Sequence, residues 1–142
     1  MDGKKSYIGD WKDDLYHGQG VESWANGSRF DGHFQEGKKH GFGTYFWPDG
    51  TFYSGSWMSN KMQGQGTYKW LDGRQYVGDW QDNNMNGKGK YNWPDGRVYE
   101  GDYLNDKRHG NGSFKWPDGR AYIGQWENGK MHGKGTYLDA EQ

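Results

Sequence analysis

The sequence predicts an all-β protein: an elongated, single-layer antiparallel sheet of tandem 23-residue β-hairpin repeats, twisted and curled, with an aromatic groove along one face. Three observations predict it. An aromatic recurs at Tyr7, Phe30, Tyr53, Tyr76, Tyr99 and Tyr122, always 23 residues apart, and a fixed period of this size marks an array of identical supersecondary units. Within each unit the aromatics stand two or four residues apart, the spacing of side chains that share one face of a strand. Between units lie turn signals such as Pro94-Asp95-Gly96, in which Pro presets φ and Gly supplies positive φ. One unit cannot bury its own apolar face, so neighbours must stack.

The unit is fullest from Tyr76 to Trp93. Tyr76, Gly78 and Trp80 share one face of a first strand; Gly87, Gly89, Tyr91 and Trp93 share one face of a second, across a six-residue polar segment. The opposite face carries Val77, Asp79, Lys88, Lys90 and Asn92, so the sheet is half-buried. Pairing Trp80 with Gly87 sets Gly78 against Gly89 and Tyr76 against Tyr91. Pairing Trp93 with Tyr99 across the next turn sets Tyr91 against Gly101 and Gly89 against Tyr103. In that register each ring borders bare backbone and covers a glycine that would weaken the strand. Of the 26 aromatics, 22 fall in the four repeat slots; Tyr16, Phe42, Phe46 and Phe52 fall elsewhere. Each ring can bury roughly 150–250 Å², the main source of stability.

Residues 1–142 read as one array with repeats starting at 7, 30, 53, 76, 99 and 122, the last incomplete. Met1–Ser6 reads as a linking turn with one extra residue. Repeat one has Glu22 in its third aromatic slot, as suits the atypical end of a stack. Repeat two adds Phe42 and Phe46 on the polar face, read as scattered surface aromatics. Repeats three to five are regular, with linking turns WLDGR, WPDGR and WPDGR. Repeat six runs to Tyr137 and frays into LDAEQ. Eleven or twelve strands at ~4.8 Å each span roughly 50–60 Å.

The recurring Y-x-G-x-W, short polar loop, H-G-x-G-x-x-x-W and P-D-G resemble the MORN (membrane occupation and recognition nexus) repeat over almost the whole chain. Departures are Glu22 in the third aromatic slot of repeat one, Phe34 and Tyr103 in place of Trp in the second slot, and Asp139 in place of the last Trp. The resemblance implies a non-catalytic interaction or scaffold module, in a cytoskeletal or ciliary assembly such as a radial-spoke head. It equally implies two alternatives: a peripheral membrane module that binds anionic phospholipid headgroups, or an accessory domain of a larger enzyme such as a lipid kinase or methyltransferase.

Composition narrows the classes. Hydrophobic residues make up 30%, low against the usual ~45–50%, yet the aromatic period argues for order. Net charge is −1, so no global field draws the chain to nucleic acid. Cysteine is absent, which excludes a disulfide framework and a thiolate nucleophile and fits a cytoplasmic setting. His17, His40, His109 and His132 hold one slot of repeats one, two, five and six, with Gln63 and Asn86 in the middle repeats; equivalent positions in neighbouring repeats lie roughly 10 Å apart along the array, too far to share a metal. Asp10, Asp79 and Asp102 recur on the polar face with no pocket to tune them, and the G-x-G pairs sit mid-strand with no helix to hold phosphate. No catalytic residue, cofactor or metal site is expected.

Two surfaces are candidates. The first is the groove, with Trp57, Trp70, Trp80 and Trp93 as anchors and Tyr68, Tyr91, Tyr76 and Tyr99 beside them, able to hold a partner's helix or extended peptide, or a second copy. The second is a lipid-facing loop edge of Lys38, Lys39, Lys61, Lys107, Arg108 and Lys130, diluted by Glu36, Asp106 and Glu127. One slot on that edge holds Tyr16, Lys39, Met62, Met85, Arg108 and Met131, read as a solvated rim rather than an adaptable one. Unpaired terminal strands would also permit end-to-end self-association.

Overall fold

The structure, a computed structural model, describes residues 4–140. Met1–Gly3 of the expected opening turn and the last two residues of the expected frayed tail lie outside the described residues. Twelve antiparallel strands form one open sheet in strict chain order. The hairpins are β1 (Lys5–Lys12) and β2 (Leu15–Trp24), β3 (Arg29–Gln35) and β4 (Lys38–Phe46), β5 (Phe52–Met58) and β6 (Lys61–Lys69). They continue as β7 (Gln75–Gln81) and β8 (Asn84–Asn92), β9 (Val98–Leu104) and β10 (Lys107–Lys115), β11 (Ala121–Glu127) and β12 (Lys130–Leu138). The fold class is the expected one, and extensive contacts run only between sequence neighbours.

The register differs from expectation in two places. Gly78 opposes Gly89 and Tyr76 opposes Tyr91 as anticipated, but a bulge follows and Trp80 pairs with Met85 instead of Gly87. Across the linking turn the pairing is Tyr91 with Tyr99, Gly89 with Gly101 and Gly87 with Tyr103, two residues off the expected register. Glycine thus faces glycine from strand to strand, and ring faces ring. The physical reason is space: a Cβ at Gly78 would collide with the Gly89 Cα, and one at Gly89 would overlap the Tyr76 ring. Both strands need a bare backbone at that level, because the Tyr76 ring lies along it.

The bulge has its own chemistry. Gly87 takes φ of 111°, a left-handed conformation that glycine accepts at little cost. The Asp79 carboxylate accepts the Lys88 amide at 2.9 Å, and the Tyr76 hydroxyl donates to the Asp79 carbonyl at 2.9 Å. Asp102 and Tyr99 repeat this arrangement one unit on. The recurrent aspartates are therefore bulge caps.

The six-residue loops contract to two-residue turns. Asp82 and Asn83 take φ of 49° and 71°, both positive, which is the type I′ pattern that matches strand twist. The linking turns are wider: Gly96 N donates to Trp93 O at 3.1 Å, Trp93 N to Arg97 O at 3.0 Å, and Arg97 N to Asp95 Oδ1 at 3.0 Å.

Phe46 pairs with Phe52, and the Arg29 guanidinium lies 4.4 Å from the Phe46 ring, while Phe42 is 65% exposed. Glu22 is buried and reaches Lys5 at 3.2 Å, so the charge in the third aromatic slot is neutralised locally.

Candidate functional site

The aromatic face resolves into two parallel rows. The inner row alternates first-slot and second-slot rings. Trp57, Tyr53, Trp80, Tyr76 and Tyr103 follow one another edge to face, at centroid separations of 5.1 to 5.3 Å and interplanar angles of 82° to 89°. Such contacts add to area burial the attraction of a ring's positive edge for a negative face. This row is the core: Tyr53, Tyr76 and Tyr99 are 0% exposed. The indole N–H groups of Trp57 and Trp80 donate to the carbonyls of Gly43 and Gly66, so these two buried donors are satisfied.

The outer row alternates third-slot and fourth-slot rings: Tyr45, Trp47, Tyr68, Trp70, Tyr91, Trp93, Phe114 and Trp116, each within 5.4 Å of the next. Its tryptophans are half-buried, with one side open. Of the residues expected in the groove, Trp57, Trp80, Tyr76 and Tyr99 belong to the inner row and present almost no surface. Trp70, Trp93 and Tyr68 sit half-exposed in the outer row, with Tyr91 more deeply set between them. Tyr45, Trp47, Phe114 and Trp116 stand in the same row and complete the surface. The period itself pointed to them, since they occupy the same slots in neighbouring repeats.

The expected basic edge divides. Lys38, Lys61, Lys107 and Lys130 are exposed at the starts of their strands. Lys39 and Arg108 turn instead onto the aromatic face, because the two-residue turns bring this slot into the strand opposite the second-slot ring. Lys39 Nζ lies 5.5 to 5.9 Å from the centroids of Trp24, Phe30, Tyr45 and Trp57, and burial lowers its ammonium below the ordinary 10.5. Arg108 lies 5.0 Å from Trp126 and 5.5 Å from Phe114, and donates to Gly129 O at 2.9 Å. Met62 and Met85 fill the slot in the middle repeats, against Trp57 and Trp80. The slot read as a solvated rim is thus part of the aromatic surface. In the middle repeats that slot therefore carries no side-chain charge.

The linking turns add a recurring trio. The Arg74 guanidinium lies 5.0 Å from the Trp70 centroid, its Nε donates to Asp72 Oδ2 at 2.8 Å, and its Nη1 donates to Tyr91 Oη at 3.2 Å. Arg97 repeats the contacts with Trp93 and Asp95, and Arg120 those with Trp116 and Asp118. The backbone amide of Arg120 and its guanidinium hold the Asp118 carboxyl below the usual 3.8.

Among the described residues no group of three or more His, Cys, Asp or Glu is placed to hold a metal. Among the same residues no helix is long and apolar enough to cross a membrane. The hollows along the aromatic face are open; one of about 290 Å³ lies among Met85, Tyr91, Trp93, Tyr103 and Arg108. Such a surface can stack, desolvate and hydrogen-bond a long ligand.

The open β-hairpin array with its two rows of aromatic rings is a repeat protein. The family model of the MORN repeat matches residues 7–29, 30–52, 53–73, 76–96, 99–119 and 122–141, and the chain belongs to that family. Its repeats are generally protein- or membrane-interaction modules without catalysis of their own. No individual curated protein matches the chain.

Proposed function

We propose that the chain is a non-catalytic interaction module whose outer aromatic row holds a segment of a protein partner. The observation that carries the reading is the division of labour between the rows. Most of the buried rings belong to the inner row, which Tyr91 and Phe114 join from the outer row. The tryptophans of the outer row stand beside the inner row only half-buried, with Met62 and Met85 rather than a charged residue in the neighbouring slot of the middle repeats. Tryptophan and tyrosine are the residues most enriched at binding hot spots, and a long exposed apolar strip on a folded protein marks a contact site.

The test is affinity capture from native extract with the chain and with a Trp70→Ala, Trp93→Ala variant whose circular dichroism and melting temperature show it folded. Both positions are half-exposed, so folding and binding separate better here than at Trp80. A protein retained by the chain and lost by the folded variant supports the reading; retention that ignores the outer row sinks it.

The exposed row of Lys38, Lys61, Lys107 and Lys130 supports a second reading, contact with anionic phospholipid. Binding to vesicles that collapses between low and high salt and survives the tryptophan substitutions would favour this second reading, because surface ion pairing is screened within about 8 Å at physiological salt.

A further inference from the structure

The Trp–Asp–Arg trio recurs in repeats three, four and five and is incomplete in repeat two. There Trp47, Pro48, Asp49 and Gly50 are followed by Thr51, where the later repeats have Arg74, Arg97 and Arg120. The turn is otherwise the same: Trp47 N donates to Thr51 O at 2.8 Å and Thr51 N to Asp49 Oδ1 at 2.8 Å. The rings are equivalent too. Trp47 lies 5.2 Å from Tyr68, as Trp70 lies 5.4 Å from Tyr91. Three groups hold the Arg74 guanidinium: the Trp70 face, the Asp72 carboxylate and the Tyr91 hydroxyl. Their counterparts Trp47, Asp49 and Tyr68 line an open hollow of about 360 Å³. Among the described residues no lysine or arginine lies over Trp47 or pairs with Asp49.

We infer that this hollow is a receptor for the arginine side chain of a protein partner, which takes the seat that Arg74, Arg97 and Arg120 fill from within. Arginine fits all three groups at once: its plane stacks on the indole, its fork meets the carboxylate, and a remaining N–H reaches the phenol oxygen. Lysine, a point charge, cannot make the three contacts together. The Thr51 amide keeps the Asp49 carboxyl below its usual 3.8, so it is charged at neutral pH. A side chain on a peptide is the occupant because the seat lies in line with the outer row, where flanking residues would lie on Tyr45 and Trp70. The inference rests on the outer row as the partner-facing surface and names one chemical feature of that partner.

The test uses the isotope-labelled full chain and follows the indole N–H resonances while capped Ala-Arg-Ala is added. Its citrulline and lysine counterparts and free arginine are added in parallel. The arginine peptide should shift the Trp47 resonance saturably and leave those of Trp93 and Trp116 in place. Citrulline should give no shift, lysine should bind several-fold more weakly, and Asp49→Asn should weaken binding about tenfold. Thr51→Arg should abolish the Trp47 response and raise the melting temperature, since it supplies the missing guanidinium from within.

An unmoved Trp47 resonance, an equal response to citrulline, or an undiminished response in the Thr51→Arg chain would overturn the inference. Free arginine binding as tightly as the peptide would overturn its assignment to a peptide. Loss of the seat with capture by Trp70 and Trp93 intact would leave the proposed function standing; loss of that capture with the seat intact would do the reverse.

Discussion

Tyr76 shows how one side chain dictates its surroundings. Its ring lies over Gly78 and Gly89, its edge meets Trp80, and its hydroxyl satisfies the bulge carbonyl of Asp79 at 2.9 Å. Tyr76→Phe should keep the packing and lose only that hydrogen bond, lowering unfolding stability by about 1 kcal/mol in urea denaturation. Phe30 holds the same slot without a hydroxyl, so the fold tolerates the loss. Gly89→Ala is a different case, because the new methyl would enter the Tyr76 ring. It should cost about 3 kcal/mol, the upper end for overpacking, while Lys90→Ala on the exposed face stays within about 0.5 kcal/mol. Equal midpoints for the two would show that the ring can move aside. That rings cover glycines was legible in the residue spacing. That glycine also faces glycine across the linking turn, as Gly89 faces Gly101, was not, because registers two residues apart put the same side chains on the same face.

The hairpins are joined by more than ladder pairing. Asn83 N donates to Met62 O at 3.1 Å, and Asn83 Oδ1 accepts the Met62 amide at 2.8 Å, so each turn clasps the strand of the repeat before it. Asn60 and Asp106 make the same clasp on Lys39 and Met85. Asn83 has φ of 71°, which glycine tolerates as well as asparagine. Asn83→Gly should therefore keep the turn and remove only the side-chain acceptor, for a loss of about 0.5–1.5 kcal/mol. Asn83→Ala should cost more, since alanine resists that backbone conformation; an Asn83→Gly chain as stable as the parent would assign no role to the clasp. The turns were hidden in the sequence because all six residues between Trp80 and Gly87 are polar or Met, so hydrophobic alternation could not mark where the strand ended.

The whole array behaves as a line of nearest neighbours, with stability spread along one buried row of rings. Four of those rings carry hydroxyls that burial raises above the ordinary 10.0, namely Tyr53, Tyr76, Tyr99 and Tyr103, with Tyr99 pushed up to about 12. Below pH 10 these phenols are neutral in the folded and unfolded chains alike, and they give stability no pH dependence. Above it the unfolded chain releases protons that the folded chain retains, so stability falls as pH rises from 10 through 12. Urea midpoints should decline steeply over that window, and Tyr99→Phe should make the decline shallower. A midpoint unchanged to pH 12 would mean that the inner hydroxyls are not shielded.

The sequence by itself determined the repeat, its period, the face each aromatic occupies and the family, because side-chain alternation and turn chemistry are local and six copies reinforce one another. Only the tertiary structure decided which aromatics are core and which are surface. First-slot rings close over glycine backbone with second-slot rings packed against them, while the fourth-slot tryptophans beside the linking turns stay only half-buried. It also decided that Lys39 and Arg108 belong to the aromatic face. That outcome depends on a bulge and a two-residue turn, and each shifts the register without changing the composition that a reader of the sequence can see.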